Sequence, residues 1–202
     1  MKTKKLLISA ALSLTLASSV LSAEESGVFV GVGIGYGGSS FKMTSDEGKQ
    51  TTKLDGLSYE IIAGYKSFFT PNFGLRYYAN FAYGEHKKGG ADKITANAMD
   101  YGVNIDALYN FISSENVNFG AFLGLGAGAV SWGGKTLKDQ KMDKTGFNLA
   151  LNVGLRSEFA KHHGVEIAAK VPFMTTTLKD ETGFKMTSKA NYNVGVRYIF
   201  NF

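Results

Sequence analysis

Ten ionisable side chains fall where strict alternation puts them on one face of their segments: Glu60, Lys66, Arg76, Asp100, Asp106, Arg156, Glu158, Glu166, Lys170 and Arg197. Five are acids and five are bases. Charges withdrawn from water are very costly when isolated, so equal numbers on one shielded face imply pairing. Two kinds of chemistry fit: a salt-bridged interior that fixes strand register, or an ion path lined by the same groups.

The three histidines are the natural place to look for catalysis. His162 and His163 sit in a predicted tight turn and read as solvated side chains rather than metal ligands or acid–base groups. His86 stands beside Glu85 at the end of a predicted strand, where a loop serine could complete a hydrolytic trio. The chain has no GxSxG nucleophile motif, and no catalytic residue, cofactor or metal is assigned. The glycine-rich GVGIGYGG at 31–38 lacks the strand–turn–helix context of a dinucleotide loop. The expected protein is not an enzyme; a lipid-modifying enzyme stays as the second alternative to the reading developed below.

The elements that must position these groups are strands. The chain has 25 glycines, 15 phenylalanines, 10 tyrosines and only two prolines, a balance that favours an all-β protein. Eight alternating segments are predicted, at about 27–41, 56–66, 73–83, 98–111, 117–131, 146–159, 165–176 and 192–202. In the last of them Tyr192, Val194, Val196, Tyr198, Phe200 and Phe202 form one face, while Asn193, Gly195 and Arg197 lie on the other. Almost unbroken apolar stripes on seven or eight consecutive segments would leave a soluble protein with either two apolar sheets packed together or an untenable surface, and the glycines and paired charges of the opposite face decide for lipid. A closed barrel in a bilayer needs such stripes facing lipid, with strands of only ~9–11 residues.

Connections alternate long and short, with long polar loops at 42–55, 85–95, 133–145 and 179–187 and short turns between. That pattern predicts an eight-stranded, antiparallel, up-and-down transmembrane β-barrel with loops extracellular and termini periplasmic. Its interior is just wide enough to be filled by side chains. Aromatics near the strand ends, such as Tyr36, Tyr65, Phe73, Tyr83, Phe111, Phe147, Phe159 and Phe173, fit girdles at the two interfaces.

Ahead of the strands, Lys2, Lys4 and Lys5 precede an apolar run at 6–16 and the small residues Ser22 and Ala23. This reads as a secretory signal, 1–23, cut between Ala23 and Glu24 and leaving one barrel domain, 24–202. Removing the three lysines lowers the net charge from +5 to +2, which gives no warrant for nucleic-acid binding. The absence of cysteine means that an exported domain is held without disulfides.

Four stretches carry a resemblance: GYKSFFTPNFGLRYYANFAY at 64–83, YGVNIDALYNFI at 101–112, NVGLRSEFAKHHGVEIAAKVPF at 152–173 and YNVGVRYIFNF at 192–202. In these the chain resembles the Helicobacter-type outer-membrane proteins, related porins and adhesins sharing a C-terminal barrel region. The resemblance implies an outer-membrane β-barrel and marks Phe202 as the signal read by the outer-membrane assembly machinery. The expected role is structural or surface-interacting, with a narrow porin-like channel as the alternative. Lysines in the loops, Lys42, Lys49, Lys53, Lys87, Lys88, Lys93, Lys135, Lys138, Lys141, Lys144, Lys179, Lys185 and Lys189, suit contact with lipopolysaccharide phosphates. The expected partners are therefore outer-membrane lipid and lipopolysaccharide, the assembly machinery and a host-surface ligand.

Overall fold

Period-two alternation gives each segment one apolar and one small or polar face, and the strands curl until the last pairs with the first. The structure is a computed structural model that describes residues 24–46, 48–88, 94–114, 116–134, 137–138 and 144–202. The predicted signal, with Ala23, lies outside these residues, as do Lys93, Lys135 and Lys141. Nine strand segments are described: β1 (Gly27–Ser45), β2 (Gly48–Phe68), β3 (Phe73–Lys88), β4 (Ile94–Ser113), β5 (Val117–Gly133), β6 (Lys144–Phe159), β7 (His163–Pro172), β8 (Thr176–Glu181) and β9 (Phe184–Asn201). All pairings are antiparallel, each strand from β1 to β6 pairs with the next, β7 and β8 both pair with β9, and β1 pairs with β9 to close the wall. Segments β7 and β8 are two parts of one barrel strand, so the barrel has eight. Closure of β1 on β9 satisfies the ladder around the wall, as a lipid environment requires, save beyond Pro172, where β8 pairs with β9 alone.

The strand predicted at 165–176 is broken. Pro172 has no N–H to give to a ladder, and it ends β7. The chain resumes as β8, which pairs with β9 from Thr176↔Ser188 onward.

The wall turns inside out along its length. Through the middle, large apolar side chains point outward and stand exposed, as at Val32, Ile61 and Val103, the last 65% exposed. Beyond the aromatics Tyr36, Tyr59 and Tyr101 the polarity reverses. There Phe41, Leu54, Val130, Trp132, Leu178 and Met186 pack inside, with Phe41 and Trp132 edge to face at 5.3 Å. Outward positions at that end are polar and exposed, as at Lys42, Lys53 and Glu85. This explains a difference from expectation: the segment 42–55 is mostly strand, because β1 and β2 stay paired up to Ser45↔Gly48. Likewise β3 runs to Lys88, and β9 starts at Phe184 rather than Tyr192.

Reversal of polarity does not by itself change which residues face inward, but a bulge does. On β9 the register against β1 shifts between Gly38↔Tyr192 and Ser39↔Ala190. Asn191 is the extra residue, so odd positions face inward below it and Met186 and Ser188 do so above.

Candidate functional site

The bore holds the polar groups, and alternation on β2, β3, β4, β6, β7 and β9 sends them there. Small residues make room for them: a Cβ on Gly124 of β5 would lie 2.6 Å from the Cα of Asp106, so only glycine lets β4 carry that carboxylate across the wall. All ten charges singled out from the sequence lie inside, and the structure gathers them into two groups.

The first group fills the end of the bore nearest the chain termini. Lys66 on β2 bonds Glu158 on β6, and Arg156, two residues before Glu158, lies 3.7 Å from the same carboxylate. At the centre is Glu24, which is fully buried. Its carboxylate accepts from Lys66 Nζ at 2.9 Å, Asn110 Nδ2 at 2.8 Å and Arg156 Nη1 at 2.7 Å. A second Arg156 nitrogen reaches its other oxygen, a two-pronged grip that fixes orientation as well as charge. Asn201 on β9 closes the ring with a 2.9 Å bond to Glu158. Strands β2, β4 and β6 thus converge on one residue that lies ahead of β1, and β9 joins the cluster through Glu158. The next residue, Glu25, points out of the mouth and accepts from Lys161 at 2.8 Å, a bond that holds its carboxyl below the usual range.

The second group occupies the middle. Arg76 on β3 donates to Asp106 at 2.9 Å through Nε and grips Glu166 on β7 with both terminal nitrogens. Phe122, Tyr78 and Phe29 face its guanidinium at 4.4, 5.2 and 5.9 Å from their ring centres. Arg197 donates to Glu60 at 2.7 Å and stands 3.7 Å from Glu166. An asparagine ladder, Asn80, Asn104 and Asn152, links this layer to Asp100, with bonds of 2.7–3.3 Å ending on Asp106. Lys170 pairs with Asp100 on the far side.

Two features escaped sequence reading. Glu24 precedes the first alternating segment, so no face could be assigned to it; with it the described bore holds six acids against five bases. The asparagines sit at inward positions of β3, β4 and β6, and their repetition there was the available signal.

Between the charged layers and the apolar far end is a cavity of about 70 Å³ lined in part by Ser58, Glu60, His86, Asp100, Lys170 and Arg197. That is room for a few waters. His86 does meet a serine: its Nδ1 lies 2.8 Å from Ser39 Oγ. Ser39 has no exposed surface and its hydroxyl also faces the Leu54 carbonyl at 3.4 Å. Asp55 and Glu85, on strand faces that point outward, supply no third member. His162 bonds the Asn201 carbonyl at 2.9 Å and stacks on Phe200, while His163 meets Tyr198 Oη at 2.6 Å. His162 is exposed in the turn at 160–162, as the sequence reading expects, and His163 at the start of β7 is half-buried; both rings pack in the aromatic collar at the termini end. Among the described residues no group of three His, Asp or Glu is placed to hold a metal.

The geometry is that of a barrel with an apolar outer wall and a charge-filled bore. Among solved structures, Neisserial surface protein A is similar at 17% identity and TM-score 0.45, over 89% of this chain and 100% of that one. OprG from Pseudomonas aeruginosa is similar at 15% identity and TM-score 0.48, over 90% and 100%. Ail of Yersinia pestis, solved with the heparin analogue sucrose octasulfate, is similar at 17% identity and TM-score 0.34, over 85% and 99%. No curated protein matches the sequence. The Helicobacter outer membrane protein model matches residues 60–202, which takes in β3 to β9 and all ten bore charges named from the sequence, and the chain belongs to that family.

Proposed function

We infer that this outer-membrane barrel is a non-enzymatic structural and surface-interaction protein whose bore is closed by its own paired charges. The observation that supports this is the burial of Glu24, Arg76, Asp106, Arg156 and Glu166, each held by opposite charge or amide partners across the bore. The network pins register between strands far apart in sequence and leaves the work to the exposed end. The narrow-channel alternative draws on the small cavity beside Asp100 and Lys170, but that cavity meets the Arg76 layer on one side and the apolar far end on the other.

In this reading the long hairpins face outside and the termini lie in the periplasm, with 1–23 removed before Glu24. At the outer end Lys42, Lys49, Lys53 and Lys144 are exposed, and no described carboxylate pairs with them, whereas Lys87, Lys179 and Lys185 are taken up by Glu85, Glu181 and Asp180. Four uncommitted ammonium groups fit the phosphates of lipopolysaccharide, an attraction that salt weakens. Replacing Lys42, Lys49, Lys53 and Lys144 together by Glu is expected to lower lipopolysaccharide co-purification severalfold, more at low salt than at high. Unchanged association would remove this part of the function.

Phe202 is the most exposed of the described large apolar residues, at 71%, and packs edge to face on Phe200. It contributes little to the bore, which suits a residue read by the assembly machinery. Deleting Phe202 should reduce membrane insertion while leaving export intact, as measured by the heat-resistant folded band in outer-membrane and periplasmic fractions. Full insertion of the deletion would refute the assignment.

A further inference from the structure

The register that carries β1, β2 and β9 past the apolar belt also sorts the side chains on the outer surface there, because residues opposite one another in an antiparallel pair share a face. Lys42 of β1 stands opposite Thr51 of β2 and Thr187 of β9. Two residues away along β1 on one side, Ser40 pairs with Lys53 and Lys189; two residues away on the other, Thr44 pairs with Lys49 and Lys185. Lys42 therefore has a lysine at each of its four diagonal positions, ~7–8 Å away on a regular sheet. Only small hydroxyl residues lie between them.

Lys189 is half-buried and the other four lysines are exposed. Lys185 is taken up by Asp180 at 2.7 Å, whereas Lys42, Lys49, Lys53 and Lys189 pair with no described carboxylate. Over 38–44 of β1, 49–55 of β2 and 185–191 of β9 the outward positions hold one acid, Asp55, which already accepts from Tyr192 Oη at 3.3 Å. Like charges this close repel, and a polyanion laid against them turns the repulsion into attraction.

Height decides which polyanion. Tyr36 and Tyr59 end the apolar belt on β1 and β2; Lys42 and Lys53 each lie six residues beyond the tyrosine of their own strand, and Lys49 lies ten beyond. At ~3.4 Å per residue and a strand tilt of ~35–45°, six residues raise a side chain ~15 Å above the belt and ten raise it ~25 Å. The headgroup layer is only about 5–8 Å deep on each side of the hydrocarbon. Lys189, three residues from Tyr192, marks the lower edge of the patch, and its centre stands above the level of a lipid's own phosphates. A side wall at that height faces what stands beside it in the same leaflet.

We propose that the outward face of β9, β1 and β2, centred on Lys42, docks the acidic saccharide core of a neighbouring lipopolysaccharide molecule, above its lipid A phosphates. This rests on the lipopolysaccharide contact inferred above and narrows it to one face, since Lys144 lies on β6, outside the patch.

The folded barrel in neutral detergent is titrated calorimetrically with rough lipopolysaccharide carrying a phosphorylated core and, in parallel, with lipid A. The core-bearing form should bind about tenfold more tightly. An exposed ion pair is worth a few-fold in affinity at most, so Lys42→Gln with Lys49→Gln and Lys53→Gln should together lower core affinity about tenfold and leave lipid A affinity unchanged. Lys144→Gln should change neither by more than about twofold, and high salt should erase the preference for the core. The heat-resistant folded band shows that each variant is a barrel. Equal wild-type affinity for the two ligands would overturn the core assignment while leaving contact with lipopolysaccharide intact, and binding of neither would remove both. A loss in Lys144→Gln as large as in the triple variant would also overturn it, because the charge would then act diffusely and not as a face.

Discussion

Arg76→Met is expected to destabilise the barrel by about 3–5 kcal/mol, the usual cost of removing one partner from a buried ion pair. The guanidinium serves Asp106 and Glu166 at once, and Asp106 is fully buried, so the loss strands one carboxylate and leaves the other to Arg197 at 3.7 Å. The hydrophobic gain of the methionine against Phe122, Tyr78 and Phe29 offsets only part of this. Arg76→Lys should also be costly, since an ammonium cannot give the Nε bond to Asp106 and the two-nitrogen grip on Glu166 together. The origin of the penalty is testable by neutralising the stranded partners: Arg76→Met combined with Asp106→Asn and Glu166→Gln should recover most of the lost stability. Unfolding by guanidinium in detergent or lipid, followed by tryptophan emission, measures all three. A single variant within about 1 kcal/mol of wild type, the range expected of an exposed pair, would mean that the Arg76 layer is hydrated and does not bind the strands together.

Glu24→Ala is expected to have a comparable effect at the termini end, about 3–5 kcal/mol. Its carboxylate is the shared acceptor of Lys66, Arg156 and Asn110, and without it two cations lean on Glu158 alone. The residue belongs to no strand, so the ladder should survive: strand content by circular dichroism should be retained while the unfolding midpoint falls. Glu24→Gln is the sharper variant, because it keeps the shape and removes only the charge. Stability equal to wild type in Glu24→Gln would show that shape, and not charge, holds the mouth together.

The positions of these two residues show what alternation could and could not reveal. Arg76 sits between Leu75 and Tyr77 on a segment with an apolar outer face, so its inward direction follows from period two alone. The same holds for Asp106 on β4 and Glu166 on β7. Which charge meets which was not legible, since pairing across a bore joins residues 30 and 90 positions apart and depends on the tilt and register of the closed wall. Glu24 was hidden for a different reason: it enters the bore from outside the sheet, and no periodicity describes it. The reach of the strands was misjudged at 42–55 because polar outward residues such as Lys42 and Lys53 read as loop. Beyond the lipid, however, a strand faces water outside and packs Phe41 and Leu54 inside, the reverse of its membrane portion. The break at Pro172 was visible as a residue type, but not its consequence, because only the three-dimensional pairing shows that β8 joins β9 and leaves the far end of β6 laddered to β5 alone.

The central claim is that the charges in the bore neutralise and block it. Single-channel recording from the purified, folded barrel in a planar lipid bilayer tests this most directly. The account predicts a flat baseline at either polarity, with no steady conductance above that of the bare membrane. Stable, reproducible conductance steps from the wild-type protein would contradict it and give the ten charges of the strands, with Glu24, the role of an ion path.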